Sequence, residues 1–166
     1  MTMDALEAIA KRRSVRKYRT TPIPRELIEK VIDAGRRAPT AMNVQPWEFV
    51  VVTDQAMRQS FADICDYGKF FSTAPVCIAT FCKDTKYYLE DGCAAIENML
   101  IAAAALELGS CWVAGDKKSY AETIARKLGA PAGYKLVGMV ALGYPADAGK
   151  PTDKRPLSQV LHSEKW

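Results

Sequence analysis

Between Cys93 and Leu108 the chain is almost wholly apolar, interrupted only by Glu97, Asn98 and Glu107. With its flanks this run predicts one helix of roughly twenty residues, from near Leu89 to Leu108. Apolar side chains occupy more than one of its faces, so it must be covered on most sides, by the rest of the fold or by a partner. The three polar interruptions make it a buried helix and not a membrane span. A chain of 166 residues fits one domain, spanning 1–166, and can bury roughly 70% of its unfolded surface without staples.

The remaining elements follow from periodicity and punctuation. Asp4 and Glu7 resemble a capping pair, and Leu6, Ile9 and Ala10 form a stripe, so a first helix runs to about Lys11. Pro22 and Pro24 break the chain, and Pro24 can open the second helix at its first position. Leu27, Ile28, Val31, Ile32 and Ala34 give that helix a buried face. A loop through Pro39 and Thr40 to Asn43 leads to a strand, Trp47 to Thr53. Gln45 precedes Pro46, which predicts an extended Gln45. A third helix starts near Gln55, and Pro75 to Cys82 reads as a central strand. Gly109 should end the long helix, and Ser110 to Val113 is a short strand. Ser119 with Glu122 suggests a capping box for a helix to Leu128. Lys135 to Gly143 is the last strand, with Gly138 a weak point in it. By pattern this is a layered mixed α/β domain.

Lys and Arg exceed Asp and Glu by 23 to 19, and the excess clusters: Lys11, Arg12, Arg13, Arg16, Lys17 and Arg19 lie together. Such a patch is either a solvated basic face or an anion site. Only Tyr18 is interleaved with these charges, which speaks against nucleic acid. The five cysteines have no metal-type spacing and one histidine to assist, so they read as reduced, mostly buried thiols of a cytoplasmic protein. No metal site and no membrane segment is expected. There is no G-x-G-x-x-G turn and no G-x-S-x-G elbow. Gly115-Asp116-Lys117-Lys118-Ser119 fails as a P-loop because Asp116 separates the glycine from the lysine. His162, in the tail, has no evident acidic partner. With so few acid–base groups, the chemistry must be borrowed from a cofactor.

Several segments, in order, resemble the nitroreductase family of flavoenzymes. They are Arg12-Arg13-Ser14-Val15-Arg16-Lys17-Tyr18, the loop Ala38 to Trp47, and Ala74-Pro75 before an apolar strand. Asp91 to Asn98, Leu108 to Gly115, and Lys154 to His162 complete the series. The resemblance covers nearly the whole chain. It implies an α+β fold, a layered mixed sheet flanked by helices, with the long central helix at a homodimer interface and two FMN sites shared between subunits. It also implies ping-pong transfer from NADH or NADPH through FMN to a small acceptor such as a nitroaromatic or a quinone.

The same resemblance distributes the cofactor contacts. Arg12, Arg13, Ser14 and Arg16, joined by Lys154 and Arg155, would hold the phosphate through charge-assisted hydrogen bonds. Pro39, Thr40, Asn43 and Gln45 would come from the other subunit. Trp112, Val113, Ala114 and Gly115 would bring backbone N–H groups to the ring edge, small residues permitting the approach. Lys69 is the candidate for a polar ring contact from the segment Asp66 to Lys69, where the family commonly uses asparagine. Phe70 and Phe71 could wall the substrate pocket. No side chain is assigned as a catalytic acid or base, since flavin N5 carries the chemistry. The segment Lys83 to Glu90 is too short for the roofing helix of many relatives. Rival readings are another flavin reaction of the superfamily, such as dehalogenation or dehydrogenation, and a non-catalytic flavin-binding protein.

Overall fold

The computed structural model describes residues 3–147 and 152–166. Its elements run α1 (Ala5–Lys11), α2 (Arg25–Gly35), β1 (Trp47–Val52), α3 (Gln55–Ile64), β2 (Val76–Lys83), α4 (Tyr88–Ala105), β3 (Gly109–Ala114), α5 (Ala121–Lys127) and β4 (Tyr134–Gly143). The order is the one periodicity predicts. Asp4 caps α1 by accepting the Glu7 N–H at 2.9 Å, and Asp54 caps α3 through the Met57 N–H at 2.7 Å. Pro24 serves as the cap of α2 rather than its first helical residue, with an extended ψ of 140°. The Ser119–Glu122 box does not form. Tyr120 precedes α5, and the Ala121 N–H is satisfied by the Lys118 carbonyl at 3.0 Å instead of by a hydroxyl.

The long helix α4 is the spine. Glu90 and Glu97 are its only exposed residues; the rest are buried or half-buried. Its end differs from expectation. Leu108 N–H donates to Ala103 O at 2.8 Å and Glu107 N–H to Ala104 O at 3.1 Å, the paired bonds of a Schellman motif. The left-handed residue in that motif is Glu107, with φ 59°, and Gly109 is already in β3.

The four strands lie in the order β1-β2-β4-β3, each pair antiparallel. One face carries α2 and α4 over Ile78, Val140 and Leu142; the other carries α3 and α5 over Phe81, Val113 and Met139. The α+β layering expected is therefore present. Between β2 and β4 the register slips, Thr80 facing Gly138 and Phe81 facing Leu136, so Val137 is the extra residue of a bulge. Gly138, the weak point in the sequence, lies under Trp112: a Cβ there would stand 2.5 Å from Nε1 of the indole.

After α1 the chain continues extended along the sheet. Val15 N–H donates to Ser110 O at 2.9 Å, and Ser14 makes a parallel bridge with Ser110. Farther on, Arg19 N–H reaches Tyr144 O at 2.9 Å and Ala146 N–H reaches Lys17 O at 3.0 Å. Val15 packs directly on Gly109, where a Cβ would meet the valine side chain at 2.8 Å. That close approach explains the glycine. With Val15 turned into the core, Ser14 and Arg16 on either side of it turn to solvent. A basic segment is thereby fixed to the edge of the sheet.

No helix among the described residues is long and apolar enough to cross a membrane. All five cysteines are free thiols, and only Cys93 is not buried. Burial raises the thiol pKa of Cys65 to about 11 and of Cys82 to about 12, so both stay protonated at neutral pH.

Candidate cofactor site

Two adjoining cavities meet at Arg16. The first, about 490 Å³, is lined by Arg12, Ser14, Arg16, Lys17, Asp147, Thr152 and Lys154. It gathers four cations and one carboxylate, and that carboxylate lies 3.7 Å from Lys17 Nζ. The second, about 420 Å³, is lined by Arg16, Tyr67, Cys111, Trp112, Val113, Ala114, Lys118 and Tyr120. Arg16 makes only one hydrogen bond among the described residues, a long one of 3.4 Å to Ser14 O. Its guanidinium is thus disposed to bind something between the two spaces. Arg12 is more engaged, with Nε 3.9 Å from Glu97 of α4.

Arg13 faces an adjoining cavity, shared with Arg12 and Asp147. It donates to Ala10 O at 2.6 Å and Arg12 O at 2.9 Å, capping the carbonyl end of α1, and it lines neither cavity at Arg16. In an extended chain adjacent side chains diverge, so Arg13 separates from Ser14. Lys154 joins the first cavity as expected from the far end of the chain; Arg155 is exposed and lines neither.

The second cavity opens on the outer edge of β3. Gly115 N–H donates to Val137 O at 3.1 Å, so the antiparallel alternation directs the N–H of Val113 inward as well. The N–H groups of Trp112 and Ala114 turn outward. The carbonyls agree: Ser110 O accepts from Val15, and Ala114 O accepts the Tyr120 hydroxyl at 2.6 Å. Of the four residues expected to present backbone donors, Trp112 and Ala114 do so, while Gly115 spends its N–H inside the sheet. Burial raises the Cys111 thiol pKa above its ordinary value and, for Tyr120, raises the phenol to about 12. Neither group is ionised near neutral pH.

Lys69, expected to offer a ring contact, does not line the second cavity. Its Nζ donates to Ala62 O at 2.8 Å and Asp63 O at 3.2 Å, closing the end of α3. Tyr67 and Lys118 line the cavity instead. Tyr67 stood in the segment singled out in the sequence; Lys118 stood in the failed P-loop match, and its charge was the only signal it offered. Phe71 is fully buried against Phe61, ring centroids 6.4 Å apart, and is core rather than pocket wall. Phe70, half-buried, packs on Phe71 in the same core.

The loop with Pro39, Thr40, Asn43 and Gln45 lines neither cavity of its own chain. It is unusual backbone: Met42, Asn43 and Gln45 have φ of 52°, 55° and 52°. Gln45 is thus left-handed and not extended, held by its N–H to Thr40 Oγ1 at 3.1 Å and its amide to Asn43 Oδ1 at 3.1 Å. Buried Asp91, in the first turn of α4, accepts the Ala41 N–H at 3.1 Å and ties the loop to the spine. Left-handed non-glycine residues cost on the order of 1 kcal/mol each, so the loop is held in a shape that its own sequence resists.

The donor set fits a phosphorylated flavin. The cationic cavity suits a dianion, and the second offers aromatic walls, small residues and two outward N–H groups. Known proteins point the same way. Residues 9–69 match the model of the "Nitroreductase family", and residues 57–166 match the model described as "Putative TM nitroreductase". A Methanothermobacter thermautotrophicus protein named "Putative NADH dehydrogenase/NAD(P)H nitroreductase" is 35% identical, over 99% of this chain and 88% of its own length. A crystal structure of the same description from Bacteroides thetaiotaomicron is 30% identical, covering 100% of both chains with a TM-score of 0.94. Another, a "putative nitroreductase in complex with fmn" from Desulfovibrio desulfuricans, is 31% identical over 100% of this chain and 99% of its own, with a TM-score of 0.87. With the fold, the basic segment bound to β3 and these matches in agreement, the chain belongs to the nitroreductase family.

Proposed function

We propose that residues 1–166 form one FMN-binding domain of a homodimeric, cytoplasmic oxidoreductase that uses NADH or NADPH to reduce a small acceptor by a ping-pong mechanism. The observation that carries this reading is the pair of cavities joined by Arg16, one cationic and one edged by outward backbone donors. Bound there, FMN supplies acceptance of hydride from the nicotinamide and its delivery to the acceptor. The protein supplies binding and electrostatics. Arg12, Arg16, Lys17 and Lys154 would neutralise the phosphate, and the Ser14 hydroxyl would donate a hydrogen bond to it. Trp112 and Ala114 direct backbone N–H groups at the ring edge, stabilising negative charge that develops there. Tyr120 is committed to Ala114 O and Cys111 is held protonated, so neither acts as an obligatory base.

A purified protein should be yellow, or become so on adding FMN, and NADH or NADPH should bleach it without oxygen. A colourless protein that takes up no FMN refutes the reading. A yellow protein that neither nicotinamide bleaches makes it a non-catalytic flavoprotein.

Apolar surface supports the second subunit. Every residue from 152 to 166 is exposed, including Leu157, Val160, Leu161 and Trp166. Met42 and Val44 project from the strained loop, Met42 at 89% exposure, and Ala94, Ile101 and Ala105 leave a half-buried strip along α4. Such side chains are covered when a partner packs on them. Deleting residues 156–166, which leaves Lys154 and Arg155 in place, should convert the dimer to monomer in sedimentation and strip FMN from the purified protein. A truncated chain that remains a yellow dimer removes the tail from the interface.

A further inference from the structure

In an antiparallel edge strand, each residue that turns outward shows an N–H and a C=O side by side. A bare edge is therefore a neutral row of donors and acceptors. The outer edge of β3 is not bare. Ser110 O takes the Val15 N–H at 2.9 Å, and Ala114 O takes the Tyr120 hydroxyl at 2.6 Å. Between them, Trp112 O meets only the Cys111 thiol, at 3.9 Å. At the Ala114 end the acceptor is thus occupied, while the N–H beside it turns outward.

Tyr120 reaches Ala114 because the chain folds back where β3 ends. Lys118 N–H donates to Gly115 O at 3.2 Å, Ala121 N–H donates to Lys118 O at 3.0 Å, and α5 starts at once. The tyrosine is 5% exposed and belongs to the same core as Phe61 and Ile124, yet it also lines the second cavity. A ring held by close packing fixes its hydroxyl before any ligand arrives. Burial keeps the phenol protonated near neutral pH, so it remains a donor.

A carbonyl oxygen carries partial negative charge. Two-electron reduction with one proton adds one negative charge to a bound flavin. The outward N–H of Ala114 favours that added charge, and an uncovered Ala114 O beside it would oppose it. A phenol O–H aimed into the carbonyl offsets that opposition.

We propose that Tyr120 is a positioning residue that makes the Ala114 end of β3 a one-sided donor edge, and that its hydroxyl thereby favours the reduced cofactor over the oxidised one. This rests on the flavin reading above and adds to it a residue that acts through Ala114.

The test reads a potential and not turnover. FMN-loaded protein is reduced slowly beside a reference dye, and apoprotein is titrated separately with oxidised FMN. Tyr120→Phe keeps the ring and removes the hydroxyl. It should hold oxidised FMN near wild-type affinity and lose about tenfold in preference for the reduced form, a fall of about 30 mV in the two-electron potential. Tyr88→Phe is the control. It removes a bond of the same 2.6 Å length, to Asp116 Oδ1, from a residue that lines neither cavity, and the potential should stay at the wild-type value. Incorporating 3-fluorotyrosine at position 120 keeps the bond with a stronger donor and should raise the potential, which covers a Tyr120→Phe chain that fails to fold.

An unchanged potential in Tyr120→Phe overturns the proposal whatever happens to affinity, because loss of strand shape alone weakens oxidised and reduced FMN equally. An equal fall in Tyr88→Phe overturns it as well, and so does a fluorinated protein with no rise. In each of these cases a wild type bleached by NAD(P)H still upholds the flavin reading. A wild type that takes up no FMN overturns both.

Discussion

Replacing Arg16 by Ala should leave a folded protein that is purified largely without FMN. A hydrogen bond to a charged group is worth about 1.5–3 kcal/mol, or roughly 10- to 150-fold in Kd. Arg16 should lie in the upper part of that range, because it borders both cavities and makes only the 3.4 Å bond to Ser14 O. Arg12→Ala should cost less, since that guanidinium already faces Glu97. Arg13→Ala should barely change FMN affinity and should instead fray the end of α1. Lys at position 16 should restore part of the affinity, supplying charge without the two-pronged fork. Titration of the apoprotein with FMN, followed by quenching of flavin fluorescence, orders the variants. Should Arg13→Ala prove the most damaging, the phosphate lies on the other side of the extended segment.

The largest effect on stability should come from Arg58, which touches no part of the candidate site. It is 6% exposed. Its Nη1 donates to Phe71 O at 3.3 Å and to Ala74 O, and its Nη2 to Gln55 Oε1 at 2.7 Å and Thr53 O at 3.5 Å. None of those acceptors is a carboxylate. Burial accordingly lowers its pKa from the usual guanidinium value and outweighs the charges that oppose it. The group remains a cation and joins the start of α3 to the chain that enters β2. Arg58→Ala removes the donors to Phe71 and Ala74 carbonyls, in residues that are both fully buried. Each acceptor left without a donor costs about 1–3 kcal/mol, so a total of about 3–5 kcal/mol is expected. That is a large share of the roughly 5–15 kcal/mol that holds an ordinary domain folded. Lys should rescue little, because one ammonium cannot reach both sides. Urea denaturation provides the measurement; a loss below about 1 kcal/mol would mean that water replaces the guanidinium.

Arg58 also shows where sequence reading ran out. On an amphipathic helix it looks like any solvated charge, because the two buried carbonyls it holds lie 13 and 16 positions away. The helices and strands were legible because apolar period and capping chemistry are local, as Asp4, Asp54 and the run Val76 to Cys82 illustrate. Errors came where a local signal met a tertiary alternative. Ser119 lost its capping role to a turn carbonyl, Glu107 took a left-handed position before Gly109 was reached, and Gln45 was held against the bias of Pro46. Arg12, Ser14, Arg16 and Lys154 converge as the motifs suggested. Arg13 points away from the cavity of Arg12 and Arg16, a direction that charge density does not carry and that Val15 sets by entering the core. The bonds of Lys69 to the end of α3 are likewise tertiary, and no local signal in the sequence announces them.

The bridge between Ser14 and Ser110 makes β3 a measuring rod. One end of the strand holds the cationic segment, and four residues on, at Ala114, its last outward N–H meets the second cavity. Four strand steps span about 13 Å, and a hydrogen-bonded strand neither stretches nor shortens. In the proposed binding mode the spacing between the phosphate site and the ring edge would follow this strand. A flavin without its phosphate could engage only one end of the rod, and one with a longer tail would have to bulge away from it. Cofactor choice, on this view, is written in the length of a strand.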